Sequence, residues 1–470
     1  MWNPESYTIA ASIVPRLLGL IYFFAIGAFL FQIRGLLGKN GILPAIVYLD
    51  YFRKRWSPRK RFYYIPSLFW FNASDNFLWG LPLLGTFISI VLIFGYYPPL
   101  CLALLFFIHL SIVSVGQDFL SFGWESYLLE ITCYVFLVSL TLLPNLVAWI
   151  NLNFLLFRFH LQAGAVKLQS HDPAWRDLTA IAYHYQSQPL PNTWAWYAYK
   201  WPMPFQKAST LFMFIVELII PFGLFLTDTI RAATAAILIL FQIILWATGN
   251  FSYLNHLTVV FCMIALPNFA LSFIQSPPDF PAVHWLADDL ISLVSVLFLI
   301  MQGLKLWLHF QPHNSLLASW TAWISPFHLV NRYGLFAIMT KKRYEIIIEG
   351  SEDGNTWKEY LCRYKPSEIT RRPRRISPYQ PRLDWQMWFL PFDDFGSETW
   401  FHQFLYHLLK GTPGVVKLLR YNPFPDQPPK YIRAVMYDYQ FSTKEQKKQF
   451  GWWWQREYVG QFSPILTLQA

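Results

Sequence analysis

The chain has few ionisable side chains, and several of them stand where a charge is costly. Phe157 to Lys167 reads Phe-Arg-Phe-His-Leu-Gln-Ala-Gly-Ala-Val-Lys at the end of a long apolar stretch. His160, Gly164 and Lys167 are spaced i, i+4, i+7, which places them on one face of a helix. Gly164 between them lets another backbone or a ligand come close. Arg158 and Gln162 fall on neighbouring faces. A charge inside a membrane span costs roughly 2.5–3.5 kcal/mol on insertion scales, so each one calls for a partner or a function. A desolvated lysine beside a carboxylate can act as a general base. Glu125 and Glu130 can pair with Arg158 and Lys167 across a helix interface, provided both charges are hydrogen-bonded. Asp118 and Glu217 are further acids in apolar surroundings. Plainer readings stay open: Arg158 and Lys167 snorkel to the interface, and Glu125 complements a helix N-terminus.

Other chemistry is thinly represented. His171, Asp172, Asp177 and His184 cluster in the loop that follows, but their spacing matches no standard ligand pattern, so no metal site and no cofactor is identified. No Gly-rich phosphate loop, Gly-x-Ser-x-Gly elbow or His-Glu-x-x-His helix occurs, which argues against common hydrolases and nucleotide enzymes. Cys101, Cys133 and Cys262 lie in apolar runs and Cys362 stands apart. They form neither a disulfide framework nor a ligand set.

The elements that must position these residues are membrane helices. Of 470 residues, 55% are hydrophobic and 14% charged, with mean hydropathy +0.30. A soluble protein carries about 25% charged residues. Residues 76–117, 131–157 and 232–278 contain no Asp, Glu, Lys or Arg. Each helix needs about 20 apolar residues to cross the bilayer. Pro98-Pro99 and Gly249-Asn250 divide the longer runs, giving about eight or nine spans: near 14–34, 76–97, 99–117, 125–143, 146–167, 207–227, 231–249, 251–275 and 289–309. The first run, Leu17 to Ile33, lacks a cleavage signature and reads as a retained span. The loop 35–66 is strongly basic, which places it in the cytoplasm. Nine spans would place the C-terminal domain there too. The net charge of +10 fits anionic headgroups and not nucleic acid. Loop 169–206 is rich in Trp and Tyr, either as an interfacial belt or as a cap over a cavity between helices.

Residues 1–310 thus form a transmembrane bundle, 311–340 a connector and 341–470 a β-rich soluble domain. The fold class is a multispan α-helical membrane bundle followed by a β-sandwich-like domain. Runs at 343–349 and 357–365 flank Asp353-Gly354, a hairpin signal. Further strands fit 415–420 and 431–441, and a helix fits 399–410 with Gly411 as its stop.

Several motifs carry a family resemblance. Trp175-Arg176-Asp177-Leu178-Thr179, His184-Tyr185-Gln186, Gln188 to Asn192, Thr248 to Asn255, Val330 to Phe336, Tyr344 to Ser351 and Arg372 through Arg382-Leu383-Asp384-Trp385 are collinear over most of residues 120–450. Together they resemble the lipase maturation factor family. The resemblance implies an integral membrane protein, of the endoplasmic reticulum in animals or of the inner membrane in a bacterium. It also implies a lipase-like client that the protein helps to fold and assemble, contacted by the C-terminal domain on the lumenal side. Candidate motif, client or ligand residues are Arg158, Trp175, Arg176, Asp177, His184, Tyr185, Asn250, Asn255, Arg382, Asp384 and Trp385. A shorter segment, Ala163 to Leu168 with Asp172 and Trp175, is similar to vitamin K-dependent gamma-glutamyl carboxylase, whose catalytic lysine would fall on Lys167. The leading expectation is a non-catalytic maturation factor with membrane lipid and a client protein as partners. The alternative is a membrane enzyme acting on a lipophilic substrate, with Lys167 as base and His160, Glu125 and Glu130 tuning it. A transporter is a third reading, although no two-half hydropathy symmetry supports it.

Overall fold

A computed structural model describes residues 3–141, 143–274, 288–312 and 315–468. Capping residues set the helix starts. Ser74 accepts from Phe77 N ahead of the helix that begins at Asp75, and Asn145 accepts from Val147 N and Ala148 N ahead of the helix that begins at Leu146. Both satisfy amides that the first turn leaves unpaired. The membrane domain runs α1 (Thr8–Leu30), α2 (Asp75–Ile93), α3 (Pro98–Val115), α4 (Gly123–Ser139) and α5 (Leu146–Gln169). After a cap it continues as α8 (Met203–Leu218), α9 (Asp228–Thr248), α10 (Leu254–Cys262) and α11 (Asp288–Phe310). The cap itself holds α6 (Ala180–Ser187) and α7 (Thr193–Tyr199).

Six of the nine expected spans are helices long and apolar enough to cross a membrane: α1, α2, α3, α8 with its 3-10 extension, α9 and α11. The other three differ for physical reasons. α4 has 17 residues and carries Glu125 and Glu130, and α5 carries Arg158 and Lys167. The expected span 251–275 is the nine-residue α10 followed by 3-10 turns at Met263–Ala265 and Asn268–Leu271, with Pro267 between them. Its last residue lies outside the described ones.

Close packing relies on small residues. A Cβ on Gly19 of α1 would stand 2.9 Å from Ile93 N and Ser89 O of α2, so these two helices approach backbone to backbone. In a bilayer, where hydrophobicity gives helices no reason to associate, such contacts hold them together. α5 runs through the middle, against α4, α8 and α11.

The two ends of the bundle differ. At one, Asn268 bonds Ile9 N and Thr8, Tyr7 donates to Asp228, and Asn145 donates to Ser292. At the other, loop 35–66 is not extended but folds into helices Ala45–Arg53 and Pro58–Tyr64. The helix Ile33–Leu37 before it packs on Pro413–Val416 of the C-terminal domain.

The C-terminal domain contains one antiparallel sheet of five strands: β1 (Tyr344–Ser351), β2 (Lys358–Tyr360), β3 (Tyr431–Phe441), β4 (Trp454–Gln461) and β5 (Leu466–Thr467). The order is β2-β1-β3-β4, with β5 also on β3. Ile346 faces Met436 and Ile348 faces Ala434 across β1 and β3. The sandwich expectation is therefore corrected. The described residues form a single sheet, and helices cover it, among them α13 (Thr399–Leu409), which follows α12 (Arg382–Met387). The expected strand at 415–420 is also corrected. Pro413 starts a short helix through Val416, as proline at the first helical position favours. The Asp353-Gly354 turn forms as expected, with Gly354 at φ +77°. Asp353 Oδ1 accepts from Asn355 N and Thr356 N at 2.8 Å each, and these bonds hold its carboxyl well below the usual range.

Candidate functional site

Among the described residues, three ion centres with both partners buried link helices of the bundle to one another or to the C-terminal domain, and they sort the charged residues differently from the sequence expectation. The first is Glu130 on α4 with Arg158 on α5, both fully buried and in direct contact. Glu130 also accepts from Asn331 N at 2.9 Å and from Tyr333 OH at 2.6 Å. Arg158 donates to Asn331 O, and Gln162 accepts from Tyr333 N at 3.1 Å. The connector segment around Asn331 thus enters the bundle and completes the shell that a buried pair requires. The expected Glu130–Arg158 pairing stands.

The second centre is Glu125. It does not pair with Lys167 or Arg158. Its Oε1 lies 2.9 Å from Arg382 Nη1, and its Oε2 lies 3.0 Å from His109 Nε2 and accepts from Tyr253 OH at 2.7 Å. Arg382 belongs to the C-terminal domain, so this carboxylate anchors that domain to the bundle. Gln32 strengthens the joint by accepting from Arg382 N and donating to Gln380 O, each at 2.9 Å. Asp384 accepts from Tyr364 N and Lys365 N, and Trp385 packs edge-on against Trp124 at 5.0 Å. Arg382 and Trp385 are docking residues in this arrangement, whereas Asp384 bonds within the C-terminal domain.

The third centre is Lys167 with Glu217 on α8, at 2.9 and 2.7 Å to the two carboxylate oxygens. Lys167 also donates to Ala163 O at 2.9 Å. Gly164 makes the pair possible. A Cβ there would stand 2.7 Å from Leu218 Cδ2 and 3.0 Å from Glu217 Cβ, so only glycine admits α8 this close. The sequence marks Glu217 as an acid in apolar surroundings without indicating Lys167 as its partner. A single acid in the apolar span 207–227 was the available signal, because such an acid needs a cation.

The Lys167–Glu217 pair lies in the wall of a cavity of about 520 Å³ between α5, α8, α9 and α10. His160, one helical turn and three residues before Lys167, lines the same cavity, as the i, i+4, i+7 face predicts. The cap closes over it. Trp175, His184 and Tyr185 all line it, which bears on loop 169–206 as a cover. Trp175 Nε1 donates to Phe336 O and Ala337 O at 3.1 Å. His184 stacks on Phe251 at 5.9 Å and meets Phe336 edge-on at 4.9 Å. Its burial, and then Lys167, push its imidazole down to about 4. Burial pushes the Tyr185 phenol up to about 12.

The remaining candidates lie elsewhere. Arg176 contacts His171. Asp177 is exposed and accepts from Thr179 Oγ1 at 2.5 Å and from Thr179 N at 3.0 Å, and these bonds, the hydroxyl's first, hold its carboxyl below the usual range. Asp172 accepts from Ala174 N and Met339 N. His171, Asp172, Asp177 and His184 therefore do not converge. Asn250 donates to Leu190 O and Arg374 O and accepts from Ile376 N and Ser377 N. It ties the α9–α10 turn to the cap and the C-terminal domain. Asn255 lines the cavity and donates to Gln242 Oε1 at 2.9 Å. The cap is also clamped to the sheet: Arg343 donates to Gln186 O and Pro189 O and pairs with Glu345, which also holds Lys365 at 2.7 Å.

The assembly offers two capabilities. The membrane domain presents an ion pair, rather than a free amine, to an apolar enclosure. The C-terminal domain is held firmly over one end of the bundle and exposes β4, a sheet edge with Tyr458 and Val459 outward.

Residues 9–273 match the model of the lipase maturation factor transmembrane domain, and residues 329–464 match that of the lipase maturation factor C-terminal domain. The chain is similar to lipase maturation factor 1 of Homo sapiens, 33% identical across 99% of this chain and 89% of that protein. It is 34% identical to lipase maturation factor 1 of Mus musculus, across 99% of this chain and 88% of that protein. It is 30% identical to lipase maturation factor 2 of Xenopus laevis, across 95% of this chain and 81% of that protein. No solved structure matches the chain.

Proposed function

This chain belongs to the lipase maturation factor family, and from that premise we propose that it is an integral membrane protein that assists the folding or assembly of a lipase client. The observation that carries the reading is the similarity to lipase maturation factors over 99% of the chain, through both the bundle and the domain docked on it. The host membrane is the endoplasmic reticulum in a eukaryote and the inner membrane in a bacterium.

The finer reading has three parts. The chain passes nine times through the bundle, α4, α5 and α10 being the more polar or shorter passes, which puts its two ends on opposite faces. The C-terminal domain and loop 35–66 share one face, supported by the packing of Ile33–Leu37 on Pro413–Val416, and a client that folds outside the cytoplasm puts that face on the lumenal or periplasmic side, against the charge-based expectation for the loop. The client meets the C-terminal domain at the open edge of β4, because an unpaired strand edge can accept a strand from another chain.

The test is expression in human cells from which lipase maturation factor 1 has been removed, together with a secreted lipase. The expected result is a rise in activity per mass of secreted lipase over cells carrying an empty vector. Unchanged specific activity, with the protein present in the membrane, would overturn the reading.

A further inference from the structure

The cavity beside Lys167 opens toward lipid rather than water. Four residues that line it, Trp201, Phe205, Phe212 and Ile244, are also 40–49% exposed on the outer surface. Three of them sit on α8 and α9, two helices long and apolar enough to cross a membrane, and Trp201 lies just before α8. The mouth therefore lies between membrane-facing helices, and its contents exchange with the bilayer. The walls are largely aromatic and aliphatic, which suits an acyl chain.

The inner end of the cavity is polar in a particular way. Lys167 and Glu217 satisfy each other, so the pair asks no net charge of a ligand. His160 is 1% exposed and its Nδ1 lies 2.9 Å from Leu156 O. A carbonyl only accepts, so Nδ1 carries the proton and Nε2 of the neutral ring is an acceptor. That Nε2 is buried without a partner. Asn255 uses its amide hydrogens on Gln242 Oε1, and its Oδ1 is likewise buried without a partner. A buried acceptor left unpaired is costly, and both residues line the cavity. Neither acceptor receives a hydrogen bond from the protein.

We propose that the cavity binds a neutral, single-chain amphiphile with a hydroxyl-bearing head, of the monoacylglycerol class, taken from the bilayer. The chain lies along the aromatic wall, and the head hydroxyls donate to His160 Nε2 and Asn255 Oδ1. An anionic head would have to displace Glu217 from Lys167. A cationic head would find both nearby charges already neutralised. A volume of about 520 Å³ takes one chain and a small head, not a two-chain phospholipid. Binding of this kind goes beyond the lipase reading and is measured without any client.

The test uses the full-length protein in phosphatidylcholine vesicles that contain a trace of monoacylglycerol bearing a photoreactive diazirine in its chain. After irradiation, the label is expected on peptides of α8 and α9, and excess unlabelled monoacylglycerol suppresses it. His160→Phe lowers labelling roughly fivefold to tenfold, as the loss of one hydrogen bond in an apolar site implies. Ala208→Trp plugs the mouth from an exposed position on α8, so it abolishes labelling while the unfolding temperature stays at the wild-type value. Equal labelling of Ala208→Trp and wild type would overturn the proposal. So would stronger competition by a long-chain carboxylate than by monoacylglycerol, or label spread over all membrane helices.

Discussion

Arg382 of the C-terminal domain lies 2.9 Å from Glu125 of α4, and both side chains are buried. The domain is therefore docked through a charge pair placed at the end of a membrane bundle. Removing one partner of such a pair costs about 3–5 kcal/mol, because the other charge is left buried and alone. Arg382→Ala is expected to lower the thermal unfolding midpoint of the detergent-solubilised protein and to expose the connector to protease. The double change Glu125→Leu with Arg382→Met is expected to recover much of that loss. A double mutant no more stable than the single one would count against the pairing.

The connector closes the Glu130–Arg158 centre through Tyr333 OH, 2.6 Å from Glu130 Oε2. Tyr333→Phe keeps the ring and removes this bond to a charged group, which costs about 1.5–3 kcal/mol. Chemical or thermal unfolding should register that loss with little change in secondary structure by circular dichroism.

Gly164 admits α8 to α5. Gly164→Val places methyl groups against Leu218 and the Glu217 Cβ, and overpacking of this kind costs about 1–3 kcal/mol. The same variant should pull Glu217 from Lys167. A cysteine pair across α5 and α8, at Ala163 and Leu218, would report the separation by a lower yield of oxidative cross-link.

Stability should fall on mild acidification. Burial holds His184 and His328 at about 4, below the ordinary histidine value near 6.5. Between those limits the unfolded chain binds more protons than the folded one, so stability rises with pH there. It is complete above about pH 6.5 and is lost as pH drops toward 4. Unfolding midpoints at pH 7 and pH 5 should differ, and His184→Phe should shrink the difference. An unchanged difference would show that His184 is not the sensor.

Sidedness is decided by labelling. The four native cysteines are buried or half-buried, so introduced ones dominate the reaction. Lys54→Cys in the basic loop and Tyr458→Cys on β4 are expected to react from one face of the membrane. Tyr97→Cys, between α2 and α3, is expected to react from the other. Reaction of the first two only from the cytoplasm would remove the lipase reading, since exported lipases fold on the opposite side.

Much was legible in the residues themselves. Uncharged runs of sufficient length locate the apolar helices, because the bilayer punishes unpaired charge regardless of neighbours. The helical period places His160, Gly164 and Lys167 on one face; His160 and Lys167 line one cavity, and Gly164 and Lys167 meet one partner helix. The Asp353-Gly354 turn and the helix 399–410 also follow from local rules. Which acid meets which cation did not. Periodicity gives the face of a helix but not the helix it faces, so Glu217 and Lys167, fifty residues apart, paired only in three dimensions. The same holds for Arg382, whose partner lies in the other domain, and for Val415 to Arg420, where Pro413 and the neighbouring helix Ile33–Leu37 overrode a β-favouring run. Local chemistry determined the elements of this protein. The tertiary structure decided its ion pairs, its single sheet and its cavity, because these depend on distances that a sequence does not carry.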